Sequence, residues 1–251
     1  MAEPAQLAQL KTYIPFNTMK ILLVLTGHRQ LEEYSLFAKI LKQSCPRLCA
    51  ETDLFIHCNH AEISEEIQTY FKEFPQKNKR LYITTKNCGY RAGGFEAVSD
   101  LYEMNIFQGY DLVIHLHPDV FITREDALWK YIDSMPSMPQ SAFYGTTCLP
   151  HIGNHLAFDF FMFRPSGIQQ NIFNCWKTMG DTYPEHMLFQ QIMTHTVPAL
   201  LVPRYSNNDH SPRRIDEHLG LWHEHDLEKV RKYLEQLITT APTTSLTSAS
   251  F

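Results

Sequence analysis

Asp111-Leu112-Val113-Ile114-His115-Leu116-His117-Pro118-Asp119-Val120-Phe121-Ile122 decides how the rest of the chain is read. Its first half is a short, nearly continuous apolar run, the pattern of a strand covered on both faces inside a parallel sheet rather than of one with a wetted face. Pro118 cannot donate to a strand ladder and marks a break. Side chains two apart on a strand share a face, with Cα atoms about 7 Å apart. His115, His117 and Asp119 are therefore expected on one side, with His115 in the core and His117 and Asp119 at the strand's end.

Working outward, the same kind of run recurs upstream at Lys20–Thr26, Asp53–Cys58 and Arg80–Thr84. Between these runs, Leu31–Gln43, Ile63–Phe74 and Phe95–Met104 carry helical spacing, and Pro75 stops the second of them. Alternating strand and helix is the signature of βαβ units. Downstream, the sequence predicts helices over Glu125–Ser134, Ile168–Met179, Glu185–His195 and Asp226–Ile238. It predicts strands over Ala142–Thr146, Ala157–Phe163 and Ala199–Pro203, and it reads 111–122 as one broken strand. The expected architecture is α/β, a single domain over 19–238 with a central, mostly parallel mixed sheet flanked by helices. Residues 1–18 form an N-terminal arm, and the Ser/Thr/Ala-rich 239–251 reads as a disordered tail.

The 251 residues suffice for one large core. A net charge of −5 argues against a general nucleic-acid binder, which needs a basic field. The six cysteines have no CxxC spacing and are read as reduced and mostly buried. The Ile21–Leu25 run is far shorter than the roughly 20 residues needed to cross a bilayer. With no signal-like N-terminus, the expected location is cytoplasmic.

Ligands of open parallel sheets bind beyond the carboxyl ends of the strands. Those ends read Thr26-Gly27-His28-Arg29, His57-Cys58-Asn59-His60, Thr84-Thr85-Lys86-Asn87 and His117-Pro118-Asp119. All are polar. After the third run, Asn87-Cys88-Gly89-Tyr90-Arg91-Ala92-Gly93-Gly94 forms a glycine-bearing loop opening into a helix, whose free N–H groups suit phosphate. Lys86 and Arg91 add charge there. Its position and glycine spacing differ from the dinucleotide fingerprint. A carboxylate beside an imidazole, Asp119 with His117, suits a divalent cation such as manganese, and Asp119 is expected to emerge into an open cleft beside the glycine turn.

The order of strand, Asn87-x-Gly89 loop, helix and apolar strand ending in His117-Pro118-Asp119 resembles GT-A-type nucleotide-sugar glycosyltransferases over roughly 19–195. His117 stands at the first acidic position of that family's D-x-D triplet. The resemblance implies a metal-dependent transfer of a sugar from a nucleotide diphosphate, UDP-sugar by analogy, to a hydroxyl of a glycan or other acceptor. It implies Mn²⁺ or Mg²⁺ held by Asp119 and His117, with His223 or His225 closing the site, and Arg213 and Arg214 reaching the phosphates. Thr26, Gly27, His28 and Asn59 would meet the nucleoside. Asn87, Arg91, Gly94 and His117 would meet ribose, phosphate or sugar. Asp159, a lone carboxylate in an apolar strand, and Glu185, at a helix start, are the candidate general bases. Glu185 is equally read as a first-turn carboxylate favoured by the helix dipole, and His223-Glu224-His225 as surface histidines before a helix capped at Asp226. Two rivals are a non-catalytic nucleotide-sugar-binding protein on the same fold and an Fe(II)-dependent oxygenase using the His117-x-Asp119 triplet. The second is at odds with the strand–helix alternation.

Overall fold

A computed structural model describes residues 19–87, 89, 91–135, 140–147, 155–178, 180–203, 215–216 and 219–240. The arm over 1–18, Cys88, Cys148, Arg213, Arg214 and the tail from 241 onward lie outside the described residues.

β1 (Ile21–Gly27) pairs in parallel with β2 (Thr52–Cys58) on one side and with β4 (Leu112–Leu116) on the other. β2 in turn takes β3 (Lys79–Ile83) in parallel. β7 (Leu156–Phe163) runs antiparallel to β4 and to β6 (Phe143–Thr147), and β8 (Ala199–Pro203) lies parallel to β6. The seven-stranded order is β3-β2-β1-β4-β7-β6-β8, a mostly parallel mixed sheet.

β1 is apolar from Ile21 to Leu25 because both faces are covered. Ile21, Leu23 and Leu25 pack with Leu36, Phe37 and Ile40 of α1 (Leu31–Ser44). Leu22 and Val24 pack with Phe95, Val98 and Leu101 of α4 (Gly93–Glu103). Each such leucine adds roughly 1.5–3 kcal/mol relative to exposure. Between α1 and β2 lies the short α2 (Pro46–Glu51), which the sequence did not signal. Pro46 at its start disfavours helix at Cys45 and separates it from α1. α3 (Ser64–Glu73) precedes β3, and α5 (Glu125–Ser134) precedes β6.

Two expectations are corrected. Residues 111–122 do not form one strand: after β4 the chain turns at His117–Asp119, with Val120 N donating to His117 O at 3.1 Å. β5 (Val120–Ile122) then joins a separate antiparallel sheet with β10 (Leu221–His223) and β9 (Ile215–Asp216). Over Ile168–Thr178 the chain forms no α-helix but short 3₁₀ turns at Gln170–Ile172 and Asn174–Lys177. Phe173 is fully buried there among Phe95, Tyr102, Phe161 and Phe163, and this aromatic packing overrides the helical spacing. α6 (Pro184–Thr194) covers β7. α7 (Leu227–Thr240) packs on α1 and runs two residues past the predicted end. Cys45, Cys49, Cys58 and Cys175 are free thiols, all but Cys49 buried. No helix among the described residues is long and apolar enough to cross a membrane.

Candidate functional site

Parallel pairing in register brings Gly27, Cys58 and Leu116 to one edge of the sheet. Beyond that edge opens a cleft of about 440 Å³ lined by Thr26, Gly27, His28, Arg29, Gln30, Asn59, Asn87, Gly89, Gly93, Gly94, Ala97 and His117. Seven of the eight positions assigned to donor binding from sequence, all but Arg91, therefore meet in one place. Their side chains form a polar lattice. His28 Nδ1 lies 2.9 Å from Asn59 Oδ1 and 3.3 Å from Asn87 Nδ2. A side chain at Gly93 would crowd Asn87 Oδ1 and Asn59 Nδ2 at 3.1 and 3.3 Å, so glycine lets the two amides close on the helix start.

Of the four cations expected near phosphate, Arg213 and Arg214 lie outside the described residues, and Lys86 and Arg91 are engaged in protein contacts. Lys86 Nζ lies 3.2 Å from Asp100 Oδ1. Arg91 donates to the Asp181 carbonyl and lies 4.5 Å over the Tyr183 ring. Arg91 thus docks the segment leading into α6, where Glu185 sits in the first turn, against the glycine loop.

His115 is in the core as expected, 1% exposed, its Nε2 2.8 Å from Thr26 Oγ1 and its ring stacked on Phe161. Burial pushes its imidazole well below the usual range.

Asp119 is 4% exposed, not open to a cleft as the sequence reading held. The reason is the second sheet. Antiparallel pairing of β5 with β10 sets His223 opposite Val120, and Glu224 N donates to the Asp119 carbonyl at 3.1 Å. His223-Glu224-His225 is thereby laid over the carboxylate. Asp119 Oδ2 lies 3.6 Å from His223 Nε2, 3.3 Å from His225 Nδ1 and 3.3 Å from Gln30 Nε2. Asp119 Oδ1 is buried with no hydrogen-bond partner among the described residues. Gln30 also lines the cleft, so Asp119 lies one side chain away from it.

Asp119, His223 and His225 offer ligand atoms that all lie within 4.8 Å of one another. A buried carboxylate with an orphaned oxygen and two converging imidazoles fits a divalent cation, and two nitrogens beside one oxygen suit Mn²⁺, Fe²⁺, Co²⁺ or Zn²⁺ better than Ca²⁺. His117, the other expected ligand, does not join this trio and faces the cleft. Burial works to raise the Asp119 carboxyl, but the close contact with His223 and the fields of His117, His223 and His225 outweigh it and hold it below the usual carboxylate range. For His223, burial favours the neutral ring. Asp119 and Asp159 overcome that and push it up to about 10.

Asp159, on β7, lies with Oδ2 2.7 Å from His223 Nδ1, and its carbonyl accepts from His117 N at 3.0 Å. Sequence reading missed Gln30 and Glu224. The Glu224 side chain turns back to accept from the backbone N–H groups of His225 and Asp226 at 3.0 and 2.9 Å. Neither has a motif to flag it. Only the acidic residue between two histidines hinted at Glu224.

No family model matches the chain, and no curated protein matches it in sequence. Solved structures do match in fold. A provisionally assigned nucleotide-diphospho-sugar transferase from Desulfovibrio desulfuricans G20 superposes with a TM-score of 0.52 at 13% identity, covering 87% of this chain and 98% of the other. The mannosyltransferase PcManGT from Pyrobaculum calidifontis, in complex with GDP-Man and Mn²⁺, gives 0.51 at 10% identity, over 81% of this chain and 62% of that one. A CMP:2-keto-3-deoxy-manno-octonic acid synthetase complexed with CTP gives 0.50 at 10% identity, over 86% and 99%. At these identities the likeness fixes the fold, which is the GT-A type shared by nucleotide-sugar transferases.

Proposed function

We propose that this chain is a metal-dependent glycosyltransferase that uses a nucleotide-diphosphate sugar. The observation that carries this is the Asp119–His223–His225 trio, set beside the cleft at the carboxyl ends of β1, β2 and β4. Among proteins of this fold, one neighbour holds GDP-mannose with Mn²⁺ and another holds CTP, which supports a nucleotide in that cleft.

In this reading Thr26, Gly27, His28 and Asn59 hold the nucleoside, and UDP is the expected donor nucleotide. Asn87, Gly93, Gly94 and the first N–H groups of α4 hold ribose and phosphate. His117 faces the transferred sugar from the cleft floor. Of Mn²⁺ and Mg²⁺, a site of Asp119, His223 and His225 suits Mn²⁺ better, and the ion when bound would neutralise charge on the departing diphosphate. Glu185 takes the proton from the acceptor hydroxyl if the reaction inverts. Its support is the docking of the segment before α6 against the glycine loop through Arg91.

Asp119→Asn is expected to lower turnover of a UDP-sugar with Mn²⁺ by at least about 100-fold, the scale of losing one preorganised electrostatic element, while the variant keeps its far-ultraviolet circular dichroism. Equal turnover by the two proteins would refute the assignment. The synthetase among the fold neighbours favours a second reading, nucleotidyl transfer. Pyrophosphate released from a nucleoside triphosphate and a free sugar, with no turnover of nucleotide sugars, would select it.

A further inference from the structure

We infer that Asp159 is a positioning residue whose carboxylate holds the His223 ring so that Nε2 is presented to the Asp119 cluster. The inference rests on the reading of that cluster as a cation site and gives Asp159 a role other than general base.

β7 is an apolar strand, Leu156-Ala157-Phe158-Asp159-Phe160-Phe161-Met162-Phe163, and every residue in it except Asp159 is buried. A carboxylate in such a strand is costly without a partner. Its partner comes from the other sheet. Asp159 Oδ2 lies 2.7 Å from His223 Nδ1, while the opposite ring nitrogen, Nε2, lies 3.6 Å from Asp119 Oδ2. The ring thus has a carboxylate close to each nitrogen, although the 2.7 Å contact at Nδ1 is off the axis of a hydrogen bond.

An imidazole binds a cation through one nitrogen only, and the group on the other nitrogen fixes the tautomer and the ring plane. A carboxylate beside Nδ1 favours the proton there, so a cation that displaces the proton on Nε2 finds that nitrogen's lone pair directed at the cluster. The Asp159 carbonyl also accepts from His117 N, so one residue of β7 registers both the His117-Pro118-Asp119 turn and the His223 ring. His225 has no such buttress in the described residues and is half exposed, which makes His223 the fixed member of the pair. A general base must reach an acceptor hydroxyl from solvent. The Asp159 side chain is 13% exposed and already engaged.

The test is titration of the full chain with Mn²⁺, followed by the electron paramagnetic resonance of the free ion, and with Co²⁺, followed by its visible absorption. Asp159→Asn is expected to weaken binding about 10–100-fold, the usual effect of losing an outer carboxylate partner, and to shift the Co²⁺ band. Asp119→Asn is expected to weaken it further. In a His223→Ala background, Asp159→Asn is expected to cause no additional loss of affinity, because its effect passes through that ring. Should Asp159→Asn not fold, Asp159→Glu is expected to retain more of the wild-type affinity than His223→Ala does. An Asp159→Asn protein with wild-type affinity and an unchanged Co²⁺ spectrum would overturn the inference. If its turnover had also collapsed, Asp159 would be the base. Wild-type protein that takes up neither ion would overturn both this inference and the metal-dependent reading. A wild type that binds Mn²⁺ in an Asp159-dependent way but turns over no nucleotide sugar would refute the glycosyltransferase reading alone.

Discussion

Asp100 shows how a single buried carboxylate here links charge to stability. It is 6% exposed on α4, with Oδ2 3.9 Å from His57 Nε2 and Oδ1 3.2 Å from Lys86 Nζ. Contact with His57, then with Lys86, holds it below the usual carboxylate range despite burial. A depressed folded-state value means the stabilisation is present above the unfolded value, about 3.9, and is lost as pH falls through the folded value. Asp100→Asn is therefore expected to cost about 1–3 kcal/mol at pH 7, with a smaller cost at pH 3. Urea titrations at both pH values check this, and an equal cost at both would contradict it. Of the candidate site, Asp119 was legible because a carboxylate after an apolar strand has few structural uses. The strand-end residues Thr26, His28, Asn59 and Asn87 were legible because parallel sheets gather their ends. Asp159 stood out as a lone acid among aromatics, but its partner did not, since nothing local links it to His223. The same blindness misplaced Asp119 as exposed and gave no sign of the contacts of Arg91 with Asp181 and Tyr183.

Elements carry the next level of the design. β1 to β4 were readable because strands covered on both faces are nearly continuous apolar runs, and β7 was readable for the same reason. The second sheet was not, because β9 and β10 are two and three residues long and have no period to detect. Yet this small sheet closes the site. Gly220 is its hinge: φ is +68°, and a Cβ there would strike the Arg124 carbonyl. Its own carbonyl accepts from Thr123 N and Arg124 N at 2.8 and 3.2 Å, so the turn is clamped to the end of β5. Gly220→Ala is expected to destabilise the chain by more than about 1 kcal/mol, since alanine resists positive φ. It is also expected to weaken Mn²⁺ binding, because the same turn leads into His223. A variant with lowered thermal midpoint but wild-type Mn²⁺ affinity would show that β10 keeps its place without that clamp.

For the whole molecule, the net charge of −5 offers a dianionic diphosphate no general attraction. Lys86 and Arg91, beside and within the glycine loop, contact Asp100 and Asp181, and Arg29 in the cleft wall donates to His60. On the proposed function a cation at Asp119 would share in neutralising the donor, and the cation and nucleotide are expected to bind cooperatively. Binding to the folded state alone stabilises by RT ln(1 + [L]/Kd), about 2.7 kcal/mol at a hundredfold excess over Kd. At roughly 2–4 °C per kcal/mol for a chain of this size, UDP with Mn²⁺ is expected to raise the thermal midpoint by about 5–10 °C. UDP with a chelator is expected to raise it by much less. Linkage requires the reciprocal effect, with UDP tightening Mn²⁺ by the same factor by which Mn²⁺ tightens UDP. Asp119→Asn is expected to leave UDP with only its chelator-level stabilisation whether or not Mn²⁺ is present, which ties the coupling to this carboxylate. If UDP raised the midpoint equally with and without the chelator, the cleft would bind nucleotide independently of the trio, and the two halves of the site would have separate functions.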